Sequence, residues 1–336
     1  MRRLVSILIP AYHASEWIAD TLESAVAQTW PDKEIIVVDD GSRDRTFEIA
    51  QRFASRGVTV ARQANAGAAA ARNAAFALSR GDFIQWLDAD DLLAPDKIAK
   101  QMEVAAKHDN PRLLLSAAWG RFMYRPSRVE FVPTDLWADR TPVEWLVRKM
   151  DQNLHMQTAT WLVSRELTEA AGPWNTKLLG DDDGEYFCRV LLQSEGVRFV
   201  RDSEVLYRMA GPGSLSYIGR SNPKIDAQLH SMHLHIGYLR SLEDSDRVRT
   251  ACVNYLQNWL PFFYPDRPDV VAQAEQMAAE LGGRLERPAL SWKYSWINAL
   301  FGRTAAKRAQ VSLPRMKWSV IRLWDKTLFR LQNQPL

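Results

Sequence analysis

The chain has little of what would assign it quickly. Its 336 residues include two cysteines, Cys188 and Cys252, too few for a disulfide framework. No stretch approaches the ~20 consecutive apolar residues of a membrane-spanning helix. Met1-Arg2-Arg3-Leu4 opens like a secretory leader, but the apolar run that follows is short and stops at Pro10, so a first strand is expected there instead. These features point to a reducing cytoplasm. No Gly-x-Gly-x-x-Gly follows the first apolar run, which disfavours a dinucleotide fold, and a Gly-x-x-x-x-Gly-Lys-Ser/Thr phosphate loop is absent. The net charge of +3 makes no global case for nucleic acid.

Charge is instead unevenly placed. From Arg284 onward there are 11 Lys/Arg against 2 Asp/Glu, a local +9 that leaves about −6 for the rest. The preceding part punctuates short apolar runs with acidic residues. Val5–Ile9, Glu34–Val38, Val58–Val60, Phe83–Leu87 and Leu113–Ala117 are expected strands. Helical patterns alternate with them: Trp17 to Val26, Phe47 to Phe53, Ala68 to Leu78 and Pro95 to His108. Such alternation predicts an α/β protein with a mostly parallel, doubly wound sheet. Ligands of these sheets sit beyond the carboxyl ends of the strands, and Tyr12, Asp39, Asp40, Asn65 and Asp88 to Asp91 all fall there.

Three carboxylates in Asp88-Ala89-Asp90-Asp91 repel one another at the end of an apolar strand. Either they form a solvated acidic turn, or a cation sits among them. An all-oxygen donor set suits Mg²⁺ or Mn²⁺. A nucleoside diphosphate would use the neighbouring groups: Tyr12 to stack on a base, Asp40 to accept from a base N–H, Arg72 to reach base or phosphate, and Asp88 with Asp90 to hold the cation of the diphosphate.

In order along the chain, Val5-Ser6-Ile7-Leu8-Ile9-Pro10-Ala11-Tyr12, Ile35-Ile36-Val37-Val38-Asp39-Asp40-Gly41-Ser42, Asn65-Ala66-Gly67 with Ala71-Arg72-Asn73, and Gly81-Asp82-Phe83-Ile84 running into Leu87-Asp88-Ala89-Asp90-Asp91 resemble the motifs of the family 2 inverting glycosyltransferases. The resemblance covers residues 4 to 210 and implies a GT-A (nucleotide-diphospho-sugar transferase) fold. It implies a catalytic domain over 1–220, its nucleotide half 1–110 and its acceptor half 111–220, followed by a helical, basic, Trp-rich region over 221–336. Pro10, Tyr12, Asp39, Asp40, Arg72 and Asp88 would bind the nucleotide, and Asp88 and Asp90 the metal.

The family's Glu-Asp with an Arg six residues after the Asp is matched by Asp182-Asp183 and Arg189. That frame makes Asp183 the catalytic base with Asp182 in support, although Asp182 replaces the usual Glu and leaves Asp182 and Glu185 as alternatives. The His that many relatives carry after Tyr-Arg is missing beyond Tyr207-Arg208. Either the metal then has fewer protein ligands, or a group from Ser214 to Ser216 or from the tail serves as the third. The implied reaction moves a sugar from a nucleotide-sugar donor, UDP-sugar favoured, to a saccharide or lipid-linked saccharide. A nucleotidyltransferase and a non-catalytic nucleotide-sugar binder are the alternatives.

His155 is a candidate for the acceptor pocket, and the aromatics Trp119, Phe122, Tyr124, Trp137, Trp145, Trp161 and Trp174 fit either a sugar platform or a core. His230, His233 and His235 are not expected to form a metal site, because His235 leaves the helix face the other two share. In the tail, Trp292, Trp296, Trp318 and Trp324 interleave with Lys293, Lys307, Arg308, Lys317, Arg322, Lys326 and Arg330. That pattern suits a helix in an anionic membrane interface, on the inner face of the cell membrane, or a helix packed on the catalytic domain.

Overall fold

A computed structural model describes residues 3–209, 221–288 and 291–332. The first sheet contains the apolar runs found in the sequence. Its order is β3 (Val58–Arg62), β2 (Lys33–Asp39), β1 (Val5–Ala11), β4 (Phe83–Trp86) and β8 (Val163–Ser164). The first four run parallel, and β8 closes the edge antiparallel to β4. Ile7, Leu8, Ile9, Val37, Ile84 and Trp86 are buried because helices cover both faces. Those helices are α1 (Ile18–Val26), α2 (Thr46–Gln51) and α3 (Ala68–Leu78).

The single sheet expected from the sequence is in fact two. The run at Leu113 extends through ten residues as β6 (Leu113–Phe122) and belongs to the second sheet. That sheet is ordered β5 (Leu92–Leu93), β9 (Gly196–Arg208), β6 and β7 (Glu130–Phe131). β6 runs parallel to β9, with a register shift between Ala117 and Ala118, and a bridge from Leu115 to Leu162 ties the two sheets together. Thr158–Thr160 is a single tight turn, held because the Gln157 side chain accepts from the Ala159 N–H.

Between these strands lie α4 (Lys97–His108), α5 (Pro142–Asp151), α6 (Arg165–Ala171) and α7 (Asp182–Gln193). The C-terminal region is helical, as expected: α8 (Asn222–Leu242), α9 (Asp246–Phe263), α10 (Pro268–Glu280) and α11 (Ser295–Gln332), the last interrupted at Gly302. Asp269 lies in the first turn of α10, one residue after Pro268. One apolar core runs from Val5 to Leu281, so α8 to α10 pack in the same body as the two sheets. Among the described residues no helix is long and apolar enough to cross a membrane.

Gly81 sets the distance between β1 and β4. Its N–H donates to Ser6 Oγ at 2.8 Å, and a Cβ there would lie 2.6 Å from the Ser6 amide nitrogen and 3.0 Å from the Leu4 carbonyl oxygen. Backbone, which cannot rotate away, is what it would meet. Gly81→Ala should therefore cost about 1–3 kcal/mol, read as a lower urea midpoint with an unchanged m-value; an unchanged midpoint would show that the strands can spread.

Candidate active site

The parallel strands of the first sheet all end on one edge. Leu87 N–H donates to the Leu8 carbonyl at 3.0 Å, and the chain then leaves the sheet at Asp88. Asp40 N–H donates to the Ala11 carbonyl at 2.8 Å, which places the ends of β1 and β2 side by side. Tyr12, next along, is 49% exposed and lies flat against His13, ring centroids 4.1 Å apart. One face of its ring is taken by this contact. Pro10 sits within β1, paired with Val38.

Asp39 and Asp40 differ sharply in partners. Asp40 is buried and accepts side-chain hydrogen bonds from Gln63 Nε2 (2.7 Å) and Asn65 Nδ2 (3.1 Å), and from the N–H groups of Ala66 (2.9 Å) and Gly67 (2.8 Å). A carboxylate has about four lone-pair positions, so Asp40 is saturated by the segment that leads into α3. Asp39 is wholly buried and pairs through Oδ2 with Ser42 N–H and Arg62 Nε, while its Oδ1 has no partner.

Arg72 joins the two acidic stretches, although Asp182 lies 110 positions further along the chain. Its guanidinium donates to Asp88 Oδ1 at 2.8 Å and to Asp182 Oδ2 at 2.7 Å, and it lies 4.3 Å above the Trp174 ring. Burial opposes its charge, but Asp182 and Asp88 outweigh that and hold it firmly protonated. Its Nε is buried without a partner. Trp174 in turn stacks on Tyr186, 4.1 Å between centroids at 8°.

Asp90 has no such cation. Burial, then the neighbouring Asp88, push its carboxyl up to about 7. Asp91 is structural: it is fully buried, and its oxygens accept from Gln157 Nε2 and from the Arg208 N–H. Arg208 spans the same loop, donating from Nε to the Asp90 carbonyl and from Nη2 to Asp20, with Trp17 below its guanidinium at 4.1 Å.

A hard divalent cation fits this arrangement, because Asp88 and Asp90 are close enough to repel and the nearby Arg208 offsets the strain on Asp90 only in part. Among the described residues no group of three or more His, Cys, Asp or Glu could hold an ion. Mg²⁺-type binding needs only one or two carboxylates, completed by substrate phosphates and water. Ser214 to Ser216 lie outside the described residues.

At the start of α7, the three aspartates are distinct. Asp181 caps the helix in a left-handed conformation (φ 55°) and accepts from Ser231 Oγ and Gln228 Nε2 of α8. Asp182 pairs with Arg72. Asp183 has only a 3.3 Å contact from Thr158 Oγ1 and the adjacent Gly184 N–H at 2.9 Å. Burial, then Asp181, raises its proton affinity. Glu185, the other carboxylate considered, is buried and held by Arg189 Nε (2.8 Å) and Tyr238 Oη (2.8 Å). Arg189 thus braces Glu185 and the Ala171 and Pro173 carbonyls; none of its hydrogen bonds goes to Asp183.

Behind Asp183 is a cavity of about 50 Å³ lined by residues that include Lys149, His155 and Trp161. It has room for a few waters but not for a sugar ring. His155 lines it and is kept neutral, its pKa lowered to about 4 by burial and by Arg121 and Lys149. Of the aromatics considered, Trp119, Phe122, Tyr124, Trp145, Trp161 and Trp174 are buried, which is the core reading. His235 is buried against Ser231 and Tyr255, while His230 and His233 are exposed, so the three histidines do not converge.

Thr158, Asp181, Gln228 and Ser231 were not found from the sequence, because nothing in their local pattern announces partners from distant elements. Arg208 was visible only as part of a motif.

The acids with raised pKa bind more protons folded than unfolded. Stability of the metal-free protein should therefore fall as pH rises from about 4 to about 7 through Asp90. His155 works the opposite way between about pH 4 and 6.5, so the comparison is with Asp90→Asn in the same buffers. That variant should flatten the fall and be more stable by about 1–3 kcal/mol at pH 8; identical slopes would show that Asp90 is not strained.

Residues 6–130 match the family described as "Glycosyl transferase family 2". "Uncharacterized glycosyltransferase EpsJ" of Bacillus subtilis (strain 168) is 29% identical over 238 residues, covering 68% of this chain and 67% of that protein. "Putative teichuronic acid biosynthesis glycosyltransferase TuaG" of the same organism is 41% identical over 103 residues, 30% of this chain and 41% of that protein. The chain therefore spans about two thirds of one curated relative and well under half of the other. Among solved structures, S. aureus TarS 1-349 in complex with UDP superposes with a TM-score of 0.61 at 17% identity, over 88% of this chain and 79% of that one. Mannosyltransferase PcManGT from Pyrobaculum calidifontis, in complex with GDP-Man and Mn²⁺, superposes with a TM-score of 0.58 at 20% identity, over 97% and 88%. At these identities the superpositions show the fold.

Proposed function

We propose, from the match of residues 6–130 to glycosyl transferase family 2 and from the GT-A fold, that the chain transfers a sugar from a nucleoside-diphosphate sugar to an acceptor hydroxyl with inversion. The observation that carries this reading is the bridge from Asp88 through Arg72 to Asp182, which brings the end of β4 and the start of α7 together. UDP, UDP-GlcNAc and GDP-Man in the neighbouring structures support a nucleotide-sugar donor, and a UDP-sugar is favoured. The name of TuaG supports an acceptor in cell-surface polysaccharide synthesis, a saccharide or a lipid-linked saccharide. The reading extends to a cytoplasmic enzyme held peripherally at the inner face of the membrane.

Asp183 is the proposed base. Its raised proton affinity and its lack of a cationic partner suit it to take the acceptor proton as the acceptor oxygen attacks the anomeric carbon. The bond to the diphosphate breaks in the same displacement, so the configuration inverts. Asp182 supports this by holding Arg72, and Thr158 orients the Asp183 carboxylate. Asp88 and Asp90 would hold Mn²⁺ or Mg²⁺, which when bound neutralises charge building on the leaving diphosphate. The exposed face of Tyr12 would stack on the base beside Pro10, and Asp39 shapes that end of the pocket. Asp40 would meet a base N–H only if residues 63–67 release one of its donors.

Two experiments test this. Asp183→Asn should lose most turnover while donor binding persists; normal turnover would remove Asp183 from the base role. UDP-, GDP- and dTDP-sugars, with and without Mn²⁺, should be compared by thermal shift on wild type and Asp90→Asn. A donor at about 100 times its dissociation constant stabilises by about 2.7 kcal/mol, and the shift should need both Mn²⁺ and Asp90. Stabilisation by no nucleotide sugar would overturn the donor site.

A further inference from the structure

Helix α11 is mounted inside out. Counting from Leu313, the residues Val320, Trp324 and Leu331 follow at spacings of seven, four and seven, which return to one face of a helix. All four are exposed, Val320 and Trp324 at 69% and 65%. The opposite face carries Asp325, Lys326 and Phe329, and this polar face meets the protein. Asp325 accepts from the Tyr124 N–H at 2.9 Å and from Arg125 Nε at 2.7 Å, Lys326 lies 3.5 Å from Glu16, and the Phe329 ring is 6.0 Å from that of Tyr124. A surface helix of a water-soluble domain normally does the reverse.

Charge identifies the occupant of the outer face. Residues 291–332 carry nine Lys/Arg and one acidic residue, Asp325, which is buried in its pair with Arg125. Arg330 beside the apolar stripe is exposed, as is Lys293 between Trp292 (80% exposed) and Trp296 (59%). The side chains of Lys307, Lys317 and Trp318 lie outside the described residues. Apolar and Trp side chains flanked by cations, with no exposed anion between them, complement the boundary of an anionic bilayer.

We propose that the outward face of α11 docks on an anionic phospholipid surface, and that the Asp325–Arg125 clamp sets the donor site beside that surface. The clamp lies at the rim of the site. Tyr124 packs on Trp17 at 5.3 Å, and Trp17 underlies Arg208, whose Nε is bonded to the Asp90 carbonyl. The inference deepens the peripheral placement proposed above by naming its partner and its surface. It is tested without donor or acceptor, so its failure leaves the transfer reaction standing.

The test is sedimentation of the full chain with vesicles of phosphatidylglycerol in phosphatidylcholine, and of phosphatidylcholine alone, at low and high salt. The wild type should bind the anionic vesicles and not the neutral ones, more weakly at high salt. The double variant Val320→Glu/Trp324→Glu should bind at least about tenfold less, with an unchanged melting temperature because both side chains are exposed. Arg330→Glu should weaken binding in the same direction. Three results would overturn the proposal: no binding to either vesicle, equal binding by the double variant, or a self-associated species in solution that the double variant dissolves, which would assign the face to a second copy of the chain.

Discussion

The site depends on how one buried guanidinium is shared. The geometry of parallel strands delivers Asp88 and Asp90 to one edge, and the start of α7 delivers Asp182 and Asp183 to the same place. Four carboxylates there would repel one another strongly in a medium of low dielectric. Arg72 lies between the groups and is bonded to one member of each, Asp88 and Asp182. It leaves Asp90 and Asp183 without a direct ion pair among the described residues, and these are the two whose proposed roles need a vacant oxygen. The same pairing thus stabilises the assembly and selects which acids stay reactive. Arg72 itself is held flat on Trp174, which stacks on Tyr186 of α7, so the brace is rigid in two directions.

The helices after residue 220 belong to this arrangement. Asp181 turns the chain into α7 through a left-handed residue, a conformation that costs energy unless its side chain is fixed. Ser231 and Gln228 of α8 fix it, and Tyr238 of the same helix reaches Glu185. His235, neutral because burial drives its pKa down, joins Ser231 to Tyr255 of α9. The proposed base therefore stands on a helix end whose first turn is positioned from outside the sheet domain. A boundary drawn near residue 220 divides the sequence by pattern but not the core by packing.

What the sequence made legible follows from the same geometry. β1, β2 and β4 are buried on both faces, so they are written as apolar runs, and the acids at their ends stand out against them. β9 is buried on one side only in part and reads Gly-Val-Arg-Phe-Val-Arg-Asp-Ser-Glu-Val-Leu-Tyr-Arg, with charges through its middle. Nothing in that pattern predicts a thirteen-residue strand or the register shift opposite Ala117, and so the second sheet was missed. Site positions were legible while partnerships were not. Asp90 and Asp91 are neighbours of one type, yet of their two carboxylates the Arg208 N–H and Gln157 claim that of Asp91. Glu185 looked as free as Asp183 until Arg189 and Tyr238 were placed on it. Local sequence says where a carboxylate is, and only the fold says which donors have already claimed it.

The tail shows the same limit from the other side. Its spacing of Trp and basic residues is compatible both with a packed helix and with an interfacial one; in the structure one face of α11 is packed and the other is left exposed, where the proposed docking would use it. Packing uses the polar face, because Asp325 finds in Arg125 and the Tyr124 amide the donors that let it be buried. Once that face is committed inward, helical geometry leaves Leu313, Val320, Trp324 and Leu331 exposed, away from the apolar core that runs from Val5 to Leu281. Burying that stripe against the body would require turning the helix by half a revolution and leaving Asp325 without its partners. The clamp on Tyr124 and the exposed apolar stripe are therefore one feature, and the position of Tyr124 over Trp17 sets it beside the loop that carries Asp90.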